Sequence, residues 1–210
     1  MSAFSYIPAT PANPPVVKVP TVAKSLAMGE ATFRKSIDAG FNPPDIDTLR
    51  HADLLELDSV SCIEIEHPTD GGGTVPYIAP VLRPRVAELA SDQSGRKYVG
   101  VKEDMTVDEF EDATLKYWPP ACSQLAVDSG YLFVVLGGFI VGVLRIDKWN
   151  FNPGDEKGYF EGQLIARWRG HITTGHAVLE NPDPLADDLL SFMGLRAPGG
   201  GGGSITPWNA

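Results

Sequence analysis

Cysteine is scarce in this sequence, which limits the kinds of site that it can form. Its 210 residues include only two cysteines, Cys62 and Cys122, which lie far apart. Their spacing matches no zinc-ligand pattern. We predict two buried free thiols in a reducing compartment, although the sequence alone leaves a disulfide between them open.

Signatures of catalysis are also missing. The sequence has no G-x-S-x-G nucleophile motif and no G-x-x-x-x-G-K-[ST] phosphate loop. Its four histidines show no metal-ligand spacing, and the segment Ile172-Thr173-Thr174-Gly175 separates His171 from His176. We therefore predict a non-enzyme with no cofactor and no metal.

Long hydrophobic runs are absent as well. The longest apolar stretch, 131–144, is interrupted by glycines and is shorter than the roughly 20 residues that span a bilayer. Residues Met1 to Tyr6 lack the basic and then apolar pattern of a signal peptide. These observations predict a non-secreted protein without membrane contact, either intracellular or assembled in a virus particle.

Positive charge is in deficit, with 17 Lys and Arg against 27 Asp and Glu, for a formal charge of −10. Such a surface repels phosphate backbones, so we do not expect nucleic acid as a partner without a local basic patch. Two short basic clusters, 83–85 and 167–169, are interpreted as solvated or ion-paired positions.

The clearest β signal is a hairpin. Residues 131–136 and 139–144 are apolar on both faces, and the glycine pair Gly137-Gly138 between them fits a two-residue turn. Strands that are apolar on both faces lie at the centre of a fold. We predict an α+β protein with a β-rich core built on a central antiparallel hairpin, at about 131–149, with flanking helices.

Other elements follow from periodicity and from helix-start and helix-stop residues. Thr106 and Glu109 form a capping box that begins a helix. Further strands are predicted at 60–66, 75–82 (an edge strand, because of Pro76 and Pro80), 98–101, 159–168 and 177–179. Helices are predicted at 21–40, 46–55, 84–90 and 107–117, and from Asp183 as the cap to Gly194.

Both ends of the chain are predicted to be arms. Residues 1–20 form an extended proline-rich arm, 21–196 a single α+β domain, and 197–210 a glycine-rich tether. Each arm carries apolar side chains, which either dock on a partner or fold back on the chain's own domain. The candidate docking residues are Tyr6, Ile7, Val16, Val17, Val19, Ile205 and Trp208.

These features favour a non-enzymatic structural subunit of a larger assembly. A viral or phage particle component, such as a head, neck, tail or decoration protein, is the context that we expect. The arms would dock on neighbouring proteins, either copies of this chain or other subunits of the assembly.

Two alternatives come from other classes. Trp149, Tyr159 and Trp168 could form an aromatic cluster on a small β-barrel-like module that binds nucleic acid or carbohydrate. Asp45, Glu64 and Glu66 could form the metal site of a hydrolase or nuclease, although Glu66 stands where such a site needs a lysine.

Overall fold

The computed structural model of the chain describes residues 16–42, 48–50, 66–68, 74–76, 80–92, 94–120, 123–151, 156–197 and 205–207. In this part of the chain, five helices accompany a seven-stranded mixed sheet that curls strongly into a half-barrel. The α+β class predicted from the sequence is therefore confirmed.

The helices are α1 (Val19–Ser25), α2 (Glu30–Asp38), α3 (Val107–Leu115), α4 (Ser123–Ser129) and α5 (Ala186–Phe192). The strands before the central hairpin are β1 (Val16–Lys18), β2 (Thr48–Arg50), β3 (Glu66–Pro68), β4 (Thr74–Pro76), β5 (Pro80–Leu82), β6 (Glu88–Leu89), β7 (Tyr98–Val99) and β8 (Lys116–Trp118). The remaining strands are β9 (Tyr131–Leu136), β10 (Phe139–Asn150), β11 (Gly158–Arg169), β12 (His176–Leu179) and β13 (Ile205–Pro207).

The predicted hairpin lies at the centre of the main sheet, whose order is β12-β11-β10-β9-β5-β13, with β8 also pairing with β11. Gly137 and Gly138 join β9 to β10 with φ angles of 61° and 88°, a combination that favours glycine. A Cβ at Gly137 would lie 2.4 Å from the Cβ of Ser36. The tip of the hairpin therefore packs directly against α2.

Each face of the hairpin belongs to a different core layer, which explains why its strands are apolar on both sides. One layer joins the sheet to helices α1 to α4 and contains Phe33, Phe110, Leu132, Val134, Val141 and Leu144. The other joins the sheet to α5 and contains Phe133, Val135, Ile140, Val143, Leu189 and Met193. Full burial of each larger side chain contributes roughly 1.5–3 kcal/mol.

The edge strand predicted at 75–82 is wrong in part. It divides into β4 and β5, and β5 is an inner strand that runs parallel to β9 and antiparallel to β13. Only Val81 and Leu82 pair with β9. Pro80 stands at the first position of the strand, outside that pairing, where a missing amide donor is tolerated.

The predicted helix at 21–40 is two helices, separated by a turn in which Ala27 has a φ of 52°. The first begins at Val19 instead of Thr21, with Pro20 in its first turn. Proline is tolerated there because the first amides of a helix have no intrahelical acceptor. Residues 19 and 20 therefore belong to a helix and not to an extended arm.

Of the other predictions from the sequence, some are confirmed and some are wrong. The capping box is confirmed, because the Glu109 amide donates to Thr106 Oγ1 and the Thr106 amide donates to Glu109. The strands at 98–101, 159–168 and 177–179 correspond to β7, β11 and β12. Helices are wrong at 48–50, which is strand β2, and at 84–90, which is extended and contains β6. The strand predicted at 60–66 lies outside the described residues except for its last residue, which begins β3.

The last helix begins at Ala186, and Leu185 precedes it without a side-chain cap. Asp183, the predicted cap, instead accepts hydrogen bonds from the Tyr131 hydroxyl at 2.8 Å and from the Leu185 amide at 2.9 Å. None of the helices in the described part of the chain is long and apolar enough to cross a membrane.

Candidate functional site

Two adjoining cavities form a groove beside the tip of the central hairpin, and we call them together the basic groove. Their volumes are about 540 and 440 Å³, and they share Lys35, Arg83 and Pro84. Cavities of this size are typical of binding sites. The first lies between the α1–α2 turn and the hairpin tip, and the second extends toward β8.

The lining of the basic groove is strongly cationic. Its six basic residues are Lys35, Arg83, Arg85, Arg96, Lys157 and Arg196. Among the described residues that line it, there is no carboxylate, histidine or cysteine. In a chain with a formal charge of −10, this separation of charge makes the groove a local site of attraction for anions.

Arg83 lines both cavities of the groove. Its Nη1 donates to Thr206 Oγ1, and its Nη2 is buried without a hydrogen-bond partner among the described residues. Burial lowers the pKa of this guanidinium, which nevertheless stays protonated at neutral pH. A half-buried cation without a carboxylate partner stabilises any anion placed in the groove.

Arg96 and Lys157 hold Tyr117 in the second cavity. The guanidinium carbon of Arg96 lies 5.5 Å from the centre of the Tyr117 ring, and Nζ of Lys157 lies 4.7 Å from it. Such cation–π contacts contribute about 0.5–1 kcal/mol each at exposed sites. The aromatic ring thus fixes the positions of two cations in the wall of the groove.

The side chain of Arg96 is itself fixed by Asp92, whose Oδ2 accepts from Nη2 at 2.6 Å. Burial raises the pKa of Asp92, but hydrogen bonds from the Ser94 hydroxyl, Arg96 and the Ser94 amide, with the charge of Arg96, outweigh it and lower the pKa to about 2. Asp92 therefore remains ionised and holds Arg96 in place through the neutral pH range.

Backbone strain also concentrates at the groove. Among the described residues, the two non-glycine positions with positive φ are Ala27, at 52°, and Tyr117, at 72°, and both line the cavities. A non-glycine residue in this conformation costs on the order of 1–3 kcal/mol, and such residues cluster at ligand-binding sites.

The predicted docking residues lie in different environments. Val19 and Ile205 are buried in the chain's own core, at 0% and 4% exposure, so these two fold back instead of presenting an apolar surface to a partner. Ile205 pairs with Leu82 in the main sheet. Val16 and Val17 lie in β1, which pairs with β2. Tyr6, Ile7 and Trp208 lie outside the described residues.

The predicted aromatic cluster does not form. The rings of Trp149 and Phe160 are tilted by 56° with centres 4.7 Å apart, and Tyr159, next to Phe160 in the chain, is 44% exposed. Trp168 lies nine residues beyond Tyr159 along β11, which corresponds to about 30 Å of strand length. There its indole nitrogen donates to the His171 carbonyl. Closeness in sequence groups these aromatic residues, but β11 is long enough to separate them.

The predicted metal site cannot be assembled from the described part of the chain. Asp45 and Glu64 lie outside it, as do Cys62 and Cys122, and Glu66 begins β3. Within the described ranges, no group of three or more His, Cys, Asp or Glu residues could hold a metal ion.

One sequence signal marks the groove, the 83–85 cluster, which the sequence analysis interprets as solvated or ion-paired. Arg85 does lie 3.4 Å from Glu88, but Arg83 has no such carboxylate partner among the described residues. The 167–169 cluster is ion-paired as predicted, because Arg167 lies 2.5 Å from Glu180 and Arg169 lies 3.9 Å from Glu103.

Comparison of this chain with protein-family models, with curated proteins and with solved structures gives no match in any of the three.

Proposed function

We propose that this chain is a non-enzymatic structural subunit of a larger protein assembly, and that its basic groove holds an acidic segment of a neighbouring subunit. One observation carries the proposal: six cations among the described residues line a groove whose described lining contains no carboxylate. The ion pairs given above join Arg85 and Arg96 to carboxylates outside that lining, Glu88 and Asp92. A neighbouring protein that supplies carboxylates would compensate these charges.

The chemical content of the groove supports binding rather than catalysis. Acid–base or nucleophilic catalysis needs a group that can exchange a proton or attack a substrate near neutral pH. The described lining offers arginines, lysines, one tyrosine, one threonine, one tryptophan and apolar side chains, with no histidine, cysteine or carboxylate that could activate the Thr32 hydroxyl. Fixed positive charge and apolar surface are the components of a protein-docking site.

An acidic protein segment fits this groove better than single-stranded nucleic acid. Proteins that bind single strands stack bases on free aromatic faces. The Tyr117 ring is already in contact with Arg96 and Lys157, and the Trp118 indole donates to the Thr114 carbonyl at 2.6 Å and packs against the core. The net charge of −10 further disfavours a phosphate backbone.

The terminal arms are the second part of the proposal. Tyr6 and Ile7 on the proline-rich arm and Trp208 beyond the glycine tether supply apolar contacts to neighbouring subunits, which are copies of this chain or other components. A virus particle, with this chain as a head, neck, tail or decoration protein, is the assembly that we favour.

Light scattering coupled to size-exclusion chromatography tests the proposal. The full chain should have a mass that rises with protein concentration at low salt and falls toward that of one chain at high salt. The reason is that salt screens the attraction between the cationic groove and the acidic segment. The Debye length shrinks from about 30 Å at an ionic strength of 0.01 M to about 3 Å at 1 M. Deleting residues 2–15, which leaves β1 intact, should weaken this association further.

Two results would contradict the proposal. One is a full-length chain that keeps the mass of a single copy at every concentration and salt level. The other is tight binding of an oligothymidine probe that the Lys35→Glu substitution abolishes, which would make the groove a nucleic-acid site.

A further inference from the structure

An exposed surface at the start of α5 is negatively charged, whereas the groove is positively charged, and we call this surface the acidic ridge. It consists of Leu179, Leu185, Asp187 and Asp188. The two leucines are 44% and 45% exposed, and both aspartates are exposed. Neither aspartate forms an ion pair with any described residue. The ridge thus combines exposed apolar area with negative charge that no described residue compensates.

The acidic ridge and the basic groove lie at opposite ends of the central hairpin. Asp183, which precedes the ridge, binds the Tyr131 hydroxyl and lies 3.6 Å from Arg145 Nη1, at the open end of the hairpin. The groove lies at the other end, where the Ala197 amide donates to the Gly138 carbonyl. Tyr131 and Leu136 are five residues apart, about 17 Å along an extended strand.

We infer that the acidic ridge of one copy of this chain docks in the basic groove of a second copy. This inference rests on the proposed function and names the neighbouring subunit. The ridge cannot enter the groove of its own chain, because α5 and the hairpin that separate them are packed together through Leu189, Met193 and Val135.

The two surfaces match in both charge and polarity. The first cavity combines the apolar side chains of Leu26, Met28 and Val135 with the cations Lys35 and Arg83. The ridge combines Leu185 with two aspartates only two and three residues away. Docking would bury the exposed leucine against apolar side chains and bring carboxylates to the uncompensated cations.

A contact between different surfaces of identical chains is heterologous, so a docked pair keeps a free groove on one copy and a free ridge on the other. Such contacts produce a closed ring when the rotation between copies closes, and an open filament when it does not. Both are architectures of multi-subunit assemblies, and both make the observed mass depend on protein concentration.

A complementation experiment tests the inference with two variants of the full chain. The groove variant is Lys35→Glu with Lys157→Glu, and the ridge variant is Asp187→Lys with Asp188→Lys. All four positions are exposed, so circular dichroism should show that both variants remain folded. The control, Lys18→Glu with Lys148→Glu, makes the same charge change as the groove variant at exposed positions outside the groove.

The inference predicts that each variant alone has the mass of one chain, while the control associates like the parent. Mixing the two variants should form a one-to-one complex, because the ridge of the groove variant and the groove of the ridge variant are both intact. If the parent associates and each variant alone associates equally well, the inference is overturned, but the proposed assembly still stands. A parent that stays monomeric throughout would overturn both.

Discussion

Gly142 in β10 should be energetically coupled to Phe110 in α3, and this coupling tests the packing between the sheet and its helical layer. A Cβ at Gly142 would lie 2.7 Å from Cζ of Phe110 and 3.0 Å from its Cε1. The Phe110 side chain is 1% exposed, so its ring cannot move into solvent. The backbone of Gly142 is not in the left-handed region, so the expected strain comes only from this contact.

The expected magnitudes follow from this geometry. Gly142→Ala should lower the free energy of unfolding by about 1–3 kcal/mol, the usual cost of overpacking a core. Phe110→Ala should lower it by about 3–5 kcal/mol, because it removes a fully buried ring. In the double variant the added methyl group no longer meets the ring, so the two losses should not add, and we expect a coupling of about 1–3 kcal/mol.

Urea unfolding followed by circular dichroism and by tryptophan fluorescence measures all three variants. Phe110→Leu supplies a milder partner in the same cycle, since it also removes the ring carbons that the methyl group would meet. Gly29→Ala is the matched control, because its Cβ would meet Thr32 Oγ1 at an ordinary 3.7 Å, and its effect should stay below about 1 kcal/mol. A Gly142→Ala variant as stable as the parent, or strictly additive losses, would refute the predicted packing.

Three further predictions concern stability. Val141→Asp should prevent folding, because an unpaired charge at a position with 0% exposure costs several kcal/mol, out of a total free energy of unfolding of about 5–15 kcal/mol. A soluble variant with an unchanged melting temperature would contradict this. Thr106→Ala should cost about 1 kcal/mol in chemical unfolding by removing the side-chain cap of α3, whereas an unchanged midpoint would show that the capping box contributes nothing. Because the pKa of Asp92 is lowered to about 2, its contribution to stability should be complete above about pH 4 and should be lost as the pH falls toward 2. The melting temperature of Asp92→Asn, measured against pH, should lack this part of the acid dependence. A pH profile identical to that of the parent would contradict the ion pair that we assign to Asp92.

Elements that are determined by residues close together along the chain could be predicted from the sequence. The glycine pair at the hairpin tip and the capping box of α3 act over a few residues, and both are found where they were expected. The sequence could not place β5 between β9 and β13, because those pairings join segments that are distant along the chain. Gly29 is a sequence signal against a continuous helix at 21–40, and it precedes α2 as its N-cap, whereas Ala27 in the turn favours helices.

The basic groove was missed for the same physical reason. Its cations come from five separate parts of the sequence: Lys35, Arg83 with Arg85, Arg96, Lys157 and Arg196. Along the chain they are scattered among a larger number of acidic residues, so the overall charge indicated only repulsion of anions. Folding of the hairpin tip, the α1–α2 turn and β8 into proximity creates the local positive field.

Zero-length cross-linking between isotopically distinct copies tests the central claim most directly. Unlabelled and heavy-nitrogen-labelled chains are mixed and treated with a carbodiimide, which joins a carboxylate to an amine only when the two are in contact. Mass spectrometry of the digested products then separates links between copies from links within one copy. The groove-and-ridge contact predicts mixed-isotope links between Lys35 and Asp187 or Asp188. Links from Lys35 that never join two copies, in a sample whose mass shows association, would contradict it.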